Sequence, residues 1–202
     1  MAPDDFYAEL TARNHGFLAP ALQARVREAR LLVAGCGLGS VIAECAVRAG
    51  FTRLLLADGD QVEPHNLNRQ MFRAEDVGRN KAAALAARLH SINPHAKIRV
   101  LPGMLDAGNI PAVVAGADLI IDSVDFLDAA AILTLHAEAR RQAKTVIAPL
   151  AVGWGGAAFV FAPDGASLAG LAGLDPQRPL ASVAYRELCF AVLQRYAAQL
   201  PG

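Results

Sequence analysis

Between an apolar run, Leu31-Leu32-Val33-Ala34, and a stretch of good helix formers from Val41 to Ala49, this chain places Gly35-Cys36-Gly37-Leu38-Gly39-Ser40. An apolar run that short has the length of a buried strand, and the glycines let the backbone turn sharply into a helix. Gly50 is positioned to cap that helix, and Leu54-Leu55-Leu56-Ala57 supplies a second buried strand that ends at Asp58. Strand, glycine turn, helix and strand make a βαβ unit, which commits the chain to a parallel sheet.

The alternation continues. Ala21 to Ala29 has helical spacing ahead of the first strand, and Asp60 to Asp76 reads as a long polar loop with one turn of helix. Lys81 to His90 is helical, Ile98 to Leu101 a third strand, Ile110 to Ala115 a short helix and Leu119 to Ile121 a fourth strand. Ala129 to Ala143 forms a helix and Val146 to Ala148 a fifth strand, while Ala157 to Phe161 adds an antiparallel strand at the edge. Pro163 to Pro179 reads as loop and Ser182 to Gln199 as a closing helix. The expected architecture is a Rossmann-like α/β fold: a mostly parallel sheet with helices on both faces and an antiparallel edge extension. We expect one domain over 1–202, with a helical segment at 1–29, a nucleotide-binding core at 30–162 and a loop plus helix at 163–202.

Composition narrows the partners. Nineteen basic and nineteen acidic residues cancel, so there is no general excess of positive charge for nucleic acid or an anionic membrane. No run approaches the roughly 18 apolar residues that span a bilayer, and the acidic start MAPDDFYAEL lacks a secretory n-region, so a cytoplasmic location is expected. Cys36, Cys45 and Cys189 are too few and too scattered for a disulfide framework or a Cys-x-x-Cys zinc site. Cys36 and Cys45 are expected to pack inside as small apolar residues, and Cys189 to lie on an apolar helix face. His15, His65, His90, His95 and His136 share no ligand spacing and are expected in surface or capping roles.

The chemistry is concentrated in the loops. Glycines at the N-terminus of a helix allow close approach of a phosphate to exposed N–H groups, although the same residues also make a purely structural turn. Asp58 closes the second strand where an acidic residue bonds ribose hydroxyls in dinucleotide folds, or simply ends a strand at the surface. Asp60 follows, and then Asn66-Leu67-Asn68-Arg69-Gln70, a cluster that a dehydrogenase does not need and a triphosphate-handling enzyme does. Arginine offers a planar fork to phosphate oxygens, and Lys81 adds a point charge. Asp125 sits beyond the fourth strand, where a carboxylate can hold magnesium bridging phosphates; Asp122 and Asp128 are alternatives.

Together, RLLVAGCGLGS, LLLADGDQVEPHNLNRQMF, DVGRNKAAALAARLHSINP and DLIIDSVD resemble the adenylation domain of ubiquitin-activating enzymes and their bacterial relatives of the ThiF/MoeB/HesA family, in family order across about residues 10 to 162. The resemblance implies ATP and Mg2+ as cofactors, with Gly35, Gly37 and Gly39 as the glycine-rich loop and Asp58 as the ribose acid. It assigns Asn66 and Arg69 to the phosphates, beside Gln70, Lys81 to ATP and Asp125 to magnesium. Arg13, in TARNHGF, resembles the arginine that a partner subunit inserts towards the triphosphate, which implies a homodimer. The implied reaction is adenylation of a carboxylate: the C-terminus of a ubiquitin-like or sulfur-carrier protein, or of a peptide.

The sequence departs from the family in its glycine loop, one residue shorter than usual, in Phe126 after Asp125 where asparagine is common, and in Ala129 to Ala131, which lack the usual arginine. Three rival readings follow. They are an ATP-dependent tRNA-modification dehydratase of the same family, a non-catalytic nucleotide-binding scaffold subunit, and a nicotinamide-dependent oxidoreductase, which leaves the Asn66 to Gln70 cluster unexplained. Trp154, among glycines, is left unassigned.

Overall fold

The computed structural model describes residues 1–125, 127–152, 155–175 and 177–198. In chain order it has α1 (Pro3–Leu10), α2 (Pro20–Glu28), β1 (Arg30–Ala34), α3 (Gly39–Ala49), β2 (Arg53–Ala57), α4 (Lys81–Ile92), β3 (Lys97–Leu101), α5 (Ile110–Ala115) and β4 (Leu119–Asp122). The remaining elements are α6 (Ala129–Arg141), β5 (Thr145–Val152), β6 (Gly155–Phe161), α7 (Leu168–Leu171) and α8 (Tyr185–Ala197). The strands form one sheet in the order β3-β2-β1-β4-β5-β6, parallel throughout except for the β5–β6 pair. This is the expected Rossmann-like α/β architecture with its antiparallel edge.

Successive strand residues face opposite sides of a sheet, so a strand covered on both sides needs every residue apolar. In β1, Leu31 and Val33 join the core beneath α3 and α4, while Leu32 and Ala34 join the core beneath α5 and α6. A third cluster joins Ile132 and Leu133 of α6 to Leu150, Leu188 and Val192, so α8 lies over the β5 side of the molecule. The chain order reverses between β1 and β4. The connections leaving those two strands run to opposite faces and open a crevice at their carboxyl ends.

The N-terminal segment is fastened to the far end of α3. Gly50 caps that helix at φ 109°, and both Asn14 Nδ2 (3.0 Å) and Gln23 Nε2 (3.1 Å) donate to the carbonyl of Ala49.

Three segments differ from expectation. β5 continues to Val152 because it pairs with β6 from Val146 opposite Phe161 to Val152 opposite Gly155. The expected loop Pro163–Pro179 contains α7, capped by Ser167, whose side chain accepts from Gly170 N–H. The closing helix starts at Tyr185, after a 3-10 turn at Leu180–Ser182. Phe126, Trp154 and Gln199 lie outside the described residues.

Candidate functional site

A cleft of about 450 Å³ opens at the carboxyl ends of β1, β2, β4 and β5. Its floor is the glycine turn. Gly35 has φ 84°, and a Cβ there would lie 2.3 Å from the carbonyl oxygen of Ser123, so glycine is required both for the turn and for the approach of β4. At Gly39 a Cβ would meet Ser123 Oγ at 2.5 Å and Val33 at 2.7 Å, so this glycine seats α3 on the sheet rather than touching a ligand. At Gly37 a Cβ would meet only Gln70, at 3.2 Å, and would stand in the cleft. The space it leaves is room for a phosphate over the N-terminal N–H groups of α3.

Asp58 fixes that turn to the end of β2. Its Oδ2 accepts the N–H of Cys36 at 2.6 Å and its Oδ1 the N–H of Asp60 at 2.8 Å. Burial raises its pKa above the ordinary aspartate value, and the two backbone donors work in the opposite direction. Each oxygen keeps a further lone pair for a ribose hydroxyl. Across the cleft, Lys81 Nζ donates to Asp60 Oδ2 at 2.8 Å, and the lysine backbone N–H bonds Asp60 O at 2.9 Å. The lysine ammonium therefore sits nearly buried at the start of α4, facing the cleft.

The loop after β2 supplies two further cleft residues. Arg69 is exposed, with Nη1 on the carbonyl of His65 (2.9 Å) and on Asn68 Oδ1 (3.0 Å). Gln70 lies against the glycine turn, and its Oε1 is buried without a hydrogen-bond partner among the described residues. The amide nitrogen is the Gln70 atom nearest the Gly37 space, at 3.2 Å from the position of a Cβ there, so the side chain presents a donor towards it. Asn66, expected at the phosphates, is instead buried in its own loop, where its Oδ1 accepts Glu63 N–H at 2.9 Å and caps a 3-10 turn. That bond uses the amide oxygen to hold the turn that presents Arg69.

The acidic segment after β4 divides its labour. Asp125 lines the cleft, with Oδ1 accepting Leu127 N–H at 3.0 Å. Asp128 also lines it and caps α6 through Ala131 N–H. Asp122 does not, because its carboxylate turns into the protein to meet His136. Among the described residues no three acidic, histidine or cysteine side chains group to hold a metal. That donor set fits magnesium, which takes one or two carboxylates and completes its shell with phosphate oxygens and water.

Arg13 is not brought to the cleft of its own chain. It lies in the 3-10 turn Ala12–Asn14, docked at the C-terminal end of α3, whereas the cleft is at the helix N-terminus. Eleven helical residues separate the two ends, about 16 Å at 1.5 Å per residue.

Two cysteine and histidine expectations need correction. Cys36 is buried as expected, and burial holds its thiol well above the usual range, but Cys45 is exposed on α3 because it points away from the Ala43 and Val47 face. His136 has neither a surface nor a capping role, since it is buried against Asp122 and Phe161.

Sequence reasoning missed the two serines that bind the site together. Ser40 Oγ donates to Gly37 O at 2.7 Å and accepts Met71 N–H at 3.0 Å, joining the glycine turn to the Arg69 loop. Ser123 Oγ lies 2.7 Å from Gly35 O and 3.0 Å from Ala34 O. Both stand in the motifs at the ends of β1 and β4, and a small hydroxyl beside the glycine turn is the signal the sequence offers.

Residues 11–193 match the ThiF family. Over 110 residues the chain is 34% identical to the SAMP-activating enzyme E1 of Haloferax volcanii, covering 54% of this chain and 41% of that one. It is 38% identical over 112 residues to the sulfur carrier protein ThiS adenylyltransferase of Bacillus subtilis, covering 54% and 33%. The chain thus spans well under half the length of these relatives. In three dimensions it resembles the tRNA N6-threonylcarbamoyladenosine dehydratase TcdA of E. coli in complex with ATP, with a TM-score of 0.68, 25% identity, and coverage of 73% of this chain and 61% of that one.

Proposed function

This chain belongs to the ThiF family, and from that premise we propose that it is an ATP-dependent adenylating enzyme, joining a carboxylate to the α-phosphorus of ATP and releasing pyrophosphate. The observation that carries the reading is the convergence of Gly37, Asp58, Lys81 and Asp125 in one cleft at the point where strand order reverses. A purely structural turn gives no reason for a nearly buried lysine beside it. The names of relatives, a sulfur carrier protein adenylyltransferase and a ubiquitin-like modifier-activating enzyme, support a carrier protein as partner, and in this reading its C-terminal carboxylate is the group adenylated.

A carboxylate is already ionised at neutral pH, so the reaction needs no general base. Rate enhancement comes from positioning and from neutralising charge on the departing pyrophosphate. In this reading Gly37 and the α3 N-terminus cradle phosphate, Asp58 holds the ribose, Gln70 closes over the turn, and Lys81 and Arg69 face the triphosphate. Asp125 would hold magnesium, which would supply positive charge to the triphosphate. The cleft lining has four carboxylates, Asp58, Asp60, Asp125 and Asp128, against two cations, Arg69 and Lys81. A triphosphate placed there requires added positive charge, which a magnesium ion and an arginine from a second copy provide. We therefore propose a homodimer in which Arg13 reaches the partner's cleft; Phe17, 89% exposed in the same segment, suits an interface. The three free cysteines fit a reducing, cytoplasmic setting, and no helix among the described residues is long and apolar enough to cross a membrane.

Calorimetric titration with MgATP and with NAD tests the reading. MgATP binding that weakens in Arg69→Ala supports it, whereas preference for NAD points to an oxidoreductase and absence of both to a scaffold. The likeness to the E. coli dehydratase favours one second reading, activation of a modified tRNA, and a substrate screen separates it: ATP consumption that depends on tRNA rather than on a carrier protein.

A further inference from the structure

Fourteen residues apart in sequence, Asp122 and His136 meet with Asp122 Oδ2 at 2.8 Å from His136 Nε2, and each side chain is only 6% exposed. The second carboxylate oxygen, Oδ1, accepts the N–H of Val124 at 3.2 Å. The imidazole is held on its other side by Phe161 of β6, edge to face at 4.8 Å. The carboxylate is thereby pinned at the start of the turn that carries Ser123 and Asp125. Ser123 continues the linkage, with its N–H on Ala34 O at 2.8 Å and its hydroxyl on Gly35 O at 2.7 Å.

A buried acid–imidazole pair is a poor source of net stability, because desolvating both groups offsets their attraction. Its effect here is geometric. Asp122, Asp125 and Asp128 lie within seven residues of one another, and only the last two line the cleft; the imidazole takes the first inward while fixing the turn that presents the next. We propose that His136 is a positioning residue for the metal–triphosphate end of the cleft, retaining Asp122 in the interior and holding the 123–125 turn so that Asp125 faces the ligand. The proposal rests on the adenylation reading, which gives Asp125 its magnesium. It concerns no atom of the substrate directly, and His136 acts only through Asp122.

The test uses His136→Leu, which fills the space without a donor, and His136→Gln, whose amide can restore one. Calorimetry measures the magnesium concentration that half-saturates ATP binding, and separately the affinity for adenosine, which lacks the phosphates and in this reading engages Asp58. The expected result is a rise of about ten-fold in the magnesium requirement of His136→Leu, the scale set by leaving one buried group without its hydrogen-bond partner. Adenosine affinity should stay unchanged, and His136→Gln should recover most of the difference. If His136→Leu does not fold because an unpaired carboxylate is left buried, Asp122→Asn combined with it removes that charge and gives the same readout. An unmoved magnesium requirement, or an equal loss of adenosine and MgATP affinity, overturns the proposal and leaves the pair a structural contact. A wild-type chain that binds adenosine but never MgATP overturns the adenylation reading as well, so the two failures are distinct.

Discussion

The backbone N–H of Cys36 donates to Oδ2 of Asp58 at 2.6 Å, so the glycine turn after β1 and the acidic end of β2 move as one piece. The other oxygen accepts Asp60 N–H at 2.8 Å. A carboxylate satisfies both donors; a carboxamide has one oxygen and sets its NH2 against the second. Asp58→Asn is therefore expected to weaken ATP by about ten-fold or more, the value of one charge-assisted hydrogen bond, as read by calorimetry. Undiminished affinity contradicts the assignment of Asp58 to the ribose.

The three glycines should separate by function. Gly35→Ala forces a side chain at φ 84° into the Ser123 carbonyl 2.3 Å away, and should cost about 3 kcal/mol or more in chemical denaturation. Gly37→Ala meets only the end of the Gln70 side chain, so its stability should change by less than about 1 kcal/mol, while nucleotide affinity falls because the methyl occupies the phosphate space. Equal stability losses at both positions would show that the turn has no ligand-facing member.

Acid titration offers two effects of opposite sign. Hydrogen bonding from Arg30 lowers Asp118 to about 2 from 3.8, so the unfolded chain binds the proton more readily. The resulting stability is present above pH 3.8 and is lost as pH falls towards 2. Both partners are more than two-fifths exposed, so the pair contributes at most about 1 kcal/mol after screening. Arg30→Ala should lower stability by that amount at neutral pH and by nothing near the acid end. Asp58 runs the other way, since burial raises it: its contribution favours the folded chain below its unfolded pKa and is lost as pH rises through the folded one. Because its ionised form is the one that accepts hydroxyls, nucleotide affinity should begin to fall at a higher pH than an ordinary aspartate would cause. A pH profile of ATP affinity checks this.

Arg13 lies at the opposite end of α3 from its own cleft, so the dimer proposal is testable by complementation. Arg13→Ala and Asp125→Ala are each expected to lose pyrophosphate exchange, and a mixture of the two, after subunit exchange, to regain part of it, because a mixed dimer holds one site with both residues intact. A mixture as inactive as its components contradicts action across an interface.

Central strands were the most legible part of the chain. Leu31 to Ala34 and Leu54 to Ala57 are covered on both faces, and that requirement writes a continuous apolar run into the sequence. β5 reads short in the sequence because Pro149 and the small residues around it carry no strand signature, and its length is set by pairing with β6. At the site, Gly37, Asp58, Lys81 and Asp125 announce themselves by their position relative to strand ends. Asn66 shows what the sequence does not report, that its Oδ1 is engaged by a local turn. The Asp122–His136 pair could not be read at all, since it depends on how α6 folds back over β4.

The most direct measurement is magnesium-dependent exchange of pyrophosphate into ATP, with a sulfur-carrier or ubiquitin-like protein bearing a free C-terminal glycine as the carboxylate. The adenylation account predicts exchange that requires that terminal carboxylate and disappears in Asp125→Ala while the fold is retained. ATP binding with no exchange for any carboxylate carrier would contradict it.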